Sequence, residues 1–235
     1  MPIFRKDGRT LLFIHVPKTG GSTIERVFRD DGWAVSYLDG RMGKGTENNV
    51  RRCTPQHMHA SMLQAIFRLD RFDDIFLIAR DPLARFRSEY LWRNRAVDEV
   101  KVDAESVETW GIEALERLKT EPFLWDNHMR PQADFAPARA RVYRFEDGLD
   151  GVVDDLVGRW QMQAPGALPR IRDGRDQSTH HSSSDVLISE RLGAALAATY
   201  AEDFRRFGYD DHQPPVSPSR LTPARTALRA LRRRS

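Results

Sequence analysis

The first residues that could do chemistry form the run Pro17-Lys18-Thr19-Gly20-Gly21-Ser22-Thr23, which lies between an apolar segment and an amphipathic one. Adjacent glycines let backbone N–H groups approach an anion closely, and a helix that begins there adds positive charge. Lys18 supplies a full charge, and the neighbouring hydroxyls supply further donors. The run therefore predicts a phosphate-binding loop. It is not a Walker A loop, because its lysine precedes the glycines. The alternative is an ordinary strand-to-helix turn capped by Ser22 or Thr23.

A second candidate anion site consists of Arg80 and Ser88, which are eight residues apart. Arg80 ends the clearest strand-like segment, and Ser88 falls in the helix predicted to follow. Eight residues are a little more than two helical turns, so both side chains can approach one ligand. A guanidinium offers paired donors to a phosphate, and a hydroxyl adds one more. The simpler alternative is that Arg80, Arg85 and Arg87 form a solvated helix face.

Two histidines separated by one residue, His57 and His59, are the candidates for a general base. Histidine exchanges protons near neutral pH. Positions i and i+2 share a face on an extended segment but not on a helix, and Pro55 favours an extended entry. The residue types alone do not choose between the two. Alternatively, one of them only caps a helix or packs beside Met58 and Met62, or both bind a metal with His128, which we favour less.

Two further polar groups carry no assigned role. His180 and His181 precede a run of serines and form either a mobile lid or, as we expect, an ordinary polar loop. Asp126, His128 and Arg130 either contact a ligand or form a structural polar cluster.

Alternating strands and helices must position these residues. Short apolar runs predict strands at 11–16, 33–38, 75–79 and 141–145. Helical periodicity predicts helices from about residue 21 and over 58–69, 82–95, 104–119, 149–160 and 185–207. Residues 123–135 are expected to be partly helical, and 165–184 form a long loop. This order is typical of an α/β fold with helices on both faces of a parallel sheet. Ligands bind at the carboxyl ends of its strands, where both anion sites lie.

Composition and charge exclude several classes of protein. The single cysteine, Cys53, excludes an intrachain disulfide framework and a Cys-x-x-Cys metal site. Without an apolar run near ~20 residues or a signal peptide, we expect a cytoplasmic location. The pI near 9.2 suggests nucleic acid as a partner. However, residues 213–235 hold six arginines and no acidic residue, so removing them from the net charge of +3 leaves −3 for residues 1–212. The basicity belongs to the tail, and we expect no nucleic-acid partner.

Together, the two anion sites resemble those of sulfotransferases that use 3′-phosphoadenylyl sulfate (PAPS). The Lys18 run is similar to their 5′-phosphosulfate loop, and residues 80–90 resemble their 3′-phosphate motif, R-x-P-x-x-R-x-x-S-x-Y. Four other segments are similar to the carbohydrate branch, which comprises the uronyl 2-O-sulfotransferases and their bacterial relatives: 57–59, 126–132, 143–147 and 200–209. Position 24 is isoleucine, where the small-molecule branch carries tryptophan. The resemblance covers roughly residues 10–210.

The resemblance implies a P-loop-like three-layer fold over residues 1–210, with a central parallel sheet flanked by helices, followed by a basic and flexible tail over 211–235. It implies that Lys18 and the loop through Thr23 bind the 5′ end of PAPS, and that Arg80 and Ser88 grip its 3′-phosphate. Lys18 also stabilises the leaving phosphate. The similarity of residues 57–59 to the His-x-His pair of the carbohydrate branch implies His59 as the general base, with His57 as a close second. The acceptor is a hydroxyl of a saccharide or glycoconjugate, PAP is the product, and no metal is expected.

Two other functions compete with this one. A magnesium-dependent kinase with an atypical phosphate loop needs an acidic ligand at a strand end, and Asp81 is the candidate. A non-catalytic nucleotide-binding module would dock through the basic tail, which offers a peripheral contact to an anionic membrane. We favour a merely solubilising role for the tail, because it is short and begins with prolines.

Overall fold

The computed structural model describes residues 1–168 and 181–209, and its centre is a five-stranded sheet. The sheet order is β3-β1-β2-β4-β5, in which β2, β4 and β5 are parallel and β1 is antiparallel to both neighbours. The prediction of an α/β fold with a central sheet between helices is confirmed, although only the middle of the sheet and one edge are parallel. The strands are β1 (Ile3–Lys6), β2 (Arg9–Ile14), β3 (Ala34–Ser36), β4 (Asp74–Ala79) and β5 (Arg141–Arg144).

The first strand, β1, was not predicted, because the first strand predicted from the sequence begins at residue 11. Asp7 and Gly8 have φ values of 49° and 78°. This pair of left-handed residues forms a two-residue turn that joins β1 to β2 as a hairpin. Phe4 pairs with Leu11 and is fully buried. The N-terminal segment therefore extends the sheet on the side away from β4.

Eight α-helical segments surround the sheet in the described part of the chain. The helix predicted over 58–69 is shorter in the structure and has two turns. The helix predicted over 185–207 is interrupted at Tyr200, where φ is −106° and ψ is 21°. The hydroxyl of Tyr200 donates a hydrogen bond to the carbonyl oxygen of Met129, which links this interruption to the segment that contains Met129. The segments are α1 (Gly21–Asp30), α2 (Ala60–Ile66), α3 (Pro82–Asn94), α4 (Ala104–Thr120), α5 (Leu124–Asn127), α6 (Leu149–Trp160), α7 (Glu190–Thr199) and α8 (Ala201–Phe207).

Alternation along the central strands divides the core into two layers. Leu12, Ile14 and Leu77 face one side and pack with residues of α2 and α8. Phe13 and Phe76 face the other side and pack with α1 and α6. Because β2 and β4 are buried on both faces, their sequences are continuously apolar rather than alternating. A third cluster joins α3, α4 and α7 beside the sheet.

None of the helices in residues 1–168 and 181–209 is long and apolar enough to cross a membrane. Residues 169–180 of the predicted loop, including His180, lie outside the described residues, as does the predicted tail at 211–235.

Candidate functional site

A cavity of about 1310 Å³ opens where β2 and β4 end, and both predicted anion sites line it. Parallel strands bring their carboxyl ends to one edge of a sheet, so residues 62 positions apart in the chain become neighbours. Of the predicted site residues, the cavity is lined by Lys18, Gly20, Gly21, Ser22, Thr23, His57, Arg80 and Ser88. Two predicted residues, Thr19 and His59, do not line it.

The glycine-rich loop connects β2 to α1 with its backbone in unusual conformations. Lys18 has φ 68° and Gly20 has φ 83°, which turn the chain sharply before the helix. Gly20 is the N-cap, and none of the described side chains caps the helix there, contrary to the alternative of a Ser22 or Thr23 cap. The Thr23 N–H donates to the Gly20 carbonyl at 3.0 Å, and the N–H groups of Gly21 and Ser22 are the ones that can bind an anion. The Thr19 hydroxyl donates to the Val16 carbonyl at 2.9 Å, so this side chain holds the loop rather than facing the cavity.

Gly21 is required by a close approach rather than by its own conformation. A Cβ atom at this position would lie 2.6 Å from Nε2 of His15, which no real side chain tolerates. The imidazole of His15 therefore packs directly under the glycine loop. His15 is buried and also lines the cavity.

Arg80 lies in the cavity wall, and among the described residues its guanidinium has fewer hydrogen-bond acceptors than it has donors. Its Nη1 donates to the carbonyl oxygen of Lys18 at 3.1 Å, and its guanidinium stacks on the ring of Phe145 at 4.5 Å. Its Nε is buried without a hydrogen-bond partner among the described residues, none of which forms an ion pair with Arg80. Burial lowers the pKa of the guanidinium, against the field of Glu146 and Asp81. An anion in the cavity would complete this site.

Three histidines stand in a row at the cavity wall, and each is paired with a carboxylate. The ring centroids of His15 and His57 are 5.2 Å apart, and those of His57 and His128 are 5.0 Å apart. In each pair the histidine nitrogen is Nδ1, which leaves Nε2 as the nitrogen that can exchange protons with a ligand. The pairs are His15 with Glu25, His57 with Asp126 (2.6 Å) and His128 with Glu89 (2.7 Å).

Burial shifts the pKa values of residues in these histidine–carboxylate pairs. It lowers the pKa of His57 from 6.5 to about 3, despite the hydrogen bond to Asp126. The imidazole is therefore neutral at pH 7, with its proton on the nitrogen facing Asp126. For Glu89, burial acts to raise the pKa, but His128 and Arg93 outweigh it and lower the pKa to about 2. The row thus combines a neutral His57 with three carboxyl groups, Glu25, Asp126 and Glu89, whose pKa values are lowered.

The carboxylate of Asp126 is aimed at His57 by a strained turn. Trp125, Asp126 and Asn127 have φ values of 49°, 62° and 65°, three successive left-handed residues without a glycine. The same carboxylate accepts from the backbone N–H of Thr54 at 2.6 Å and from its hydroxyl at 2.8 Å. The Asn127 side chain donates to the carbonyl of His57 at 2.8 Å. Together these bonds hold a conformation that the backbone alone disfavours.

His59, our first choice of base from the sequence, lies elsewhere. Pro55–His57 is a single 3-10 turn rather than an extended entry, so His57 and His59 do not face one cleft. His59 precedes α2, bonds the hydroxyl of Ser61 through Nδ1, and lines a separate pocket of about 520 Å³ with Arg130. Among the described residues, no cluster of histidine, cysteine or acidic side chains has the arrangement of a metal site.

The described cavity wall holds more cationic than acidic side chains, whereas residues 1–212 as a whole carry a net charge of −3. Among the described residues, two carboxylates line the cavity, Asp126 and Asp150, and Asp126 is already paired with His57. The predicted kinase ligand, Asp81, caps α3 by accepting from the N–H of Ala84 and does not line the cavity. An anionic ligand fits this wall better than a magnesium ion. Its cationic residues are Lys18, Arg41, Arg52, Arg80, Arg93 and Arg95.

A family model described as the sulfotransferase family matches residues 1–210. The chain belongs to the sulfotransferase family. Membership supports sulfuryl transfer as the general reaction of this sulfotransferase. Among solved structures, it is similar to a sulfotransferase from Alicyclobacillus acidocaldarius, with 13% identity, a TM-score of 0.41, and coverage of 87% of this chain and 96% of that one. No curated protein matches the sequence of this sulfotransferase.

Sequence reasoning missed several residues of this site. His15 was treated only as part of a strand, although a histidine two residues before the loop was a visible signal. Glu25 and Glu89 lie on helices where an acidic residue carries no special signal. Their roles arise from pairing across the fold, with His15 and His128 respectively.

Proposed function

We propose that this sulfotransferase moves a sulfuryl group from PAPS to a hydroxyl of a saccharide or glycoconjugate. The observation that carries the proposal is the incomplete hydrogen bonding of Arg80 beside the Lys18 loop. A buried guanidinium without a carboxylate partner is costly, and an anion relieves that cost. The 3′-phosphate of PAPS is an anion of suitable charge for Arg80, with Ser88 on the same wall.

The glycine loop is suited to the other end of the same nucleotide. Its uncapped helix start and the Lys18 ammonium would hold the 5′-phosphate, and Lys18 would balance the charge that develops on it. Lys18 lies over the ring of Trp92 at 4.5 Å, which keeps the ammonium at the cavity wall. When bound, PAPS supplies the sulfuryl group and leaves as PAP.

We assign His57 as the general base, in place of His59. His57 lines the cavity that Lys18 and Arg80 also line. Its neutral ring can take the proton of the acceptor hydroxyl at Nε2, while Asp126 holds Nδ1 and offsets part of the burial cost of the imidazolium that forms. The acceptor oxygen then bonds to sulfur as the bond from sulfur to the 5′-phosphate oxygen breaks. Positioning and charge carry the rest of the reaction.

The acceptor assignment rests on the resemblance and on the remaining cavity wall. Phe123, Trp92 and Trp125 line the cavity together with arginines. Apolar ring faces beside hydrogen-bond donors suit a sugar ring, which has an apolar face and a hydroxyl rim.

The test combines PAP binding with sulfate transfer by the full chain. PAP should raise the melting temperature, and Lys18→Ala and Arg80→Ala should each remove that rise. PAPS with radioactive sulfur should then label a saccharide acceptor in the presence of EDTA. An intact protein whose melting temperature does not respond to PAP would contradict the proposal. Magnesium-dependent turnover of ATP without sulfate transfer would favour the kinase instead.

A further inference from the structure

The backbone that carries Arg80 is held by side chains instead of by a strand. Strand β4 ends at Ala79, and the neighbouring strand β5 ends at the residue opposite. The peptide groups that follow Ala79 therefore find no hydrogen-bond partner in β5. Gln132 replaces the ladder with two bonds: its Oε1 accepts from the Arg80 N–H at 2.9 Å, and its Nε2 donates to the Arg80 carbonyl at 2.7 Å. Glu146 Oε1 accepts from the next N–H, that of Asp81, at 2.8 Å.

Both clamping side chains are fixed in turn by the C-terminal part of the domain. Asp203 in α8 accepts from the backbone N–H of Gln132 at 2.8 Å and from that of Ala133 at 2.7 Å. Gln132 and Asp203 are fully buried. The hydroxyl of Tyr209 donates to Glu146 Oε2 at 2.7 Å. Gln132 and Glu146 therefore hold the two peptide groups on either side of Arg80, and the C-terminal segment supports both of them.

We propose that Gln132 and Glu146 are positioning residues that aim the Arg80 guanidinium and so set the preference for nucleotides that carry a 3′-phosphate. This inference rests on the proposed function, because it assumes that Arg80 binds that phosphate. Neither Gln132 nor Glu146 lines the cavity formed by the described residues, so they act through Arg80 and not on the ligand. Paired donors lose their advantage when the guanidinium shifts by a fraction of an ångström.

A purely structural role makes a different prediction. Loss of Gln132 would then lower stability while leaving the relative affinity for two nucleotides unchanged. The informative quantity is therefore the ratio of two dissociation constants, for PAP and for AMP, which lacks the 3′-phosphate. Only a change in the aim of Arg80 alters this ratio.

The experiment measures both constants by calorimetry for the wild type, Gln132→Met and a matched control, Arg139→Met. Arg139 also donates two hydrogen bonds to backbone carbonyls, those of Leu69 and Phe72, but it lies away from the cavity. We expect the wild type to prefer PAP strongly. Gln132→Met should reduce that preference at least tenfold with little change for AMP, and the control should retain it.

A Gln132→Met protein with the wild-type preference would overturn the inference while leaving the proposed function intact. A wild type that binds PAP no better than AMP would overturn the proposed function as well. If Gln132→Met does not fold, Glu146→Gln and Glu146→Leu provide the same test. Both remove the charge, but only glutamine keeps an acceptor for the Asp81 N–H. Leucine alone should lower the preference, and equal effects would contradict the inference.

Discussion

Arg80 donates a hydrogen bond from Nη1 to the carbonyl oxygen of Lys18, 3.1 Å away, and so joins the ends of two strands. One guanidinium thereby contacts the loop proposed for the 5′ end of the nucleotide and lines the part of the cavity proposed for the 3′ end. The two anion sites are mechanically connected rather than merely adjacent. Removal of the whole Arg80 side chain should therefore affect both ends of a bound nucleotide.

Replacing Arg80 by methionine should weaken PAP binding by roughly 10- to 100-fold, which corresponds to about 1.5–3 kcal/mol for hydrogen bonds to a charged group. Calorimetry with PAP measures the change. Arg87→Met is the matched control, because Arg87 lies in α3, directly after the segment that holds Arg80, but donates to the carbonyl of Val186 and does not line the cavity. Equal losses in both variants would argue against a specific role for Arg80.

Gly21→Ala should abolish PAP-dependent stabilisation, because the new Cβ would lie 2.6 Å from Nε2 of His15 and push the loop or the histidine aside. The control is Gly151→Ala in α6, where an added Cβ meets nothing within 4 Å. That change should stabilise the protein by about 0.5–1 kcal/mol, since alanine favours a helix. Thermal unfolding with and without PAP distinguishes the two. Normal stabilisation of Gly21→Ala by PAP would show that the close approach to His15 is not needed.

His57→Asn should reduce sulfate transfer by about 10²- to 10⁴-fold, the usual contribution of a general base, while PAP binding persists. His59→Asn should retain transfer, because His59 lines a separate pocket. Initial rates with PAPS and a saccharide acceptor measure both. The reverse pattern would restore His59 as the base.

The buried His57 should make stability depend on pH. Its pKa falls from 6.5 to about 3 on folding, so its contribution is complete above pH 6.5 and is lost as the pH falls toward 3. Glu89, whose pKa falls from 4.5 to about 2, acts in the same direction over the lower range. Urea unfolding between pH 7 and 4 measures the slope. His57→Gln should flatten it by up to about 1.4 kcal/mol per pH unit below pH 6. Parallel wild-type and variant curves would contradict the assignment.

Elements with strong local signals were predicted well from the sequence. β4 is a short apolar run that ends at a charged residue, and α3 begins with Asp81 as its cap and Pro82 in its first turn. The helix over 149–160 matches its predicted bounds. The hairpin turn at Asp7 and Gly8 also carried a local signal, but the polar residues around it concealed the strand.

The parts of the site that sequence could not predict depend on pairing across the fold. Gln132 supports Arg80 from 52 positions away, and Asp126 meets His57 across 69. Contacts between residues so far apart in the chain leave no periodic pattern in the sequence. The sequence also did not show that His57 and His59 line different pockets, because the 3-10 turn after Thr54 carries no clear signal. The placement of the two histidines was decided by one local turn.

The left-handed backbone at residues 125–127 lowers the stability of the protein, but it holds the carboxylate that the proposed reaction uses. Each such conformation costs about 1–3 kcal/mol, and glycine would remove most of the cost. Glycine at 126 would also remove the carboxylate that holds His57. Laboratory selection for heat resistance alone should therefore accumulate substitutions in this turn, and selection that also requires turnover should exclude them. The conflict would identify the turn as functional even in a screen that never measures binding.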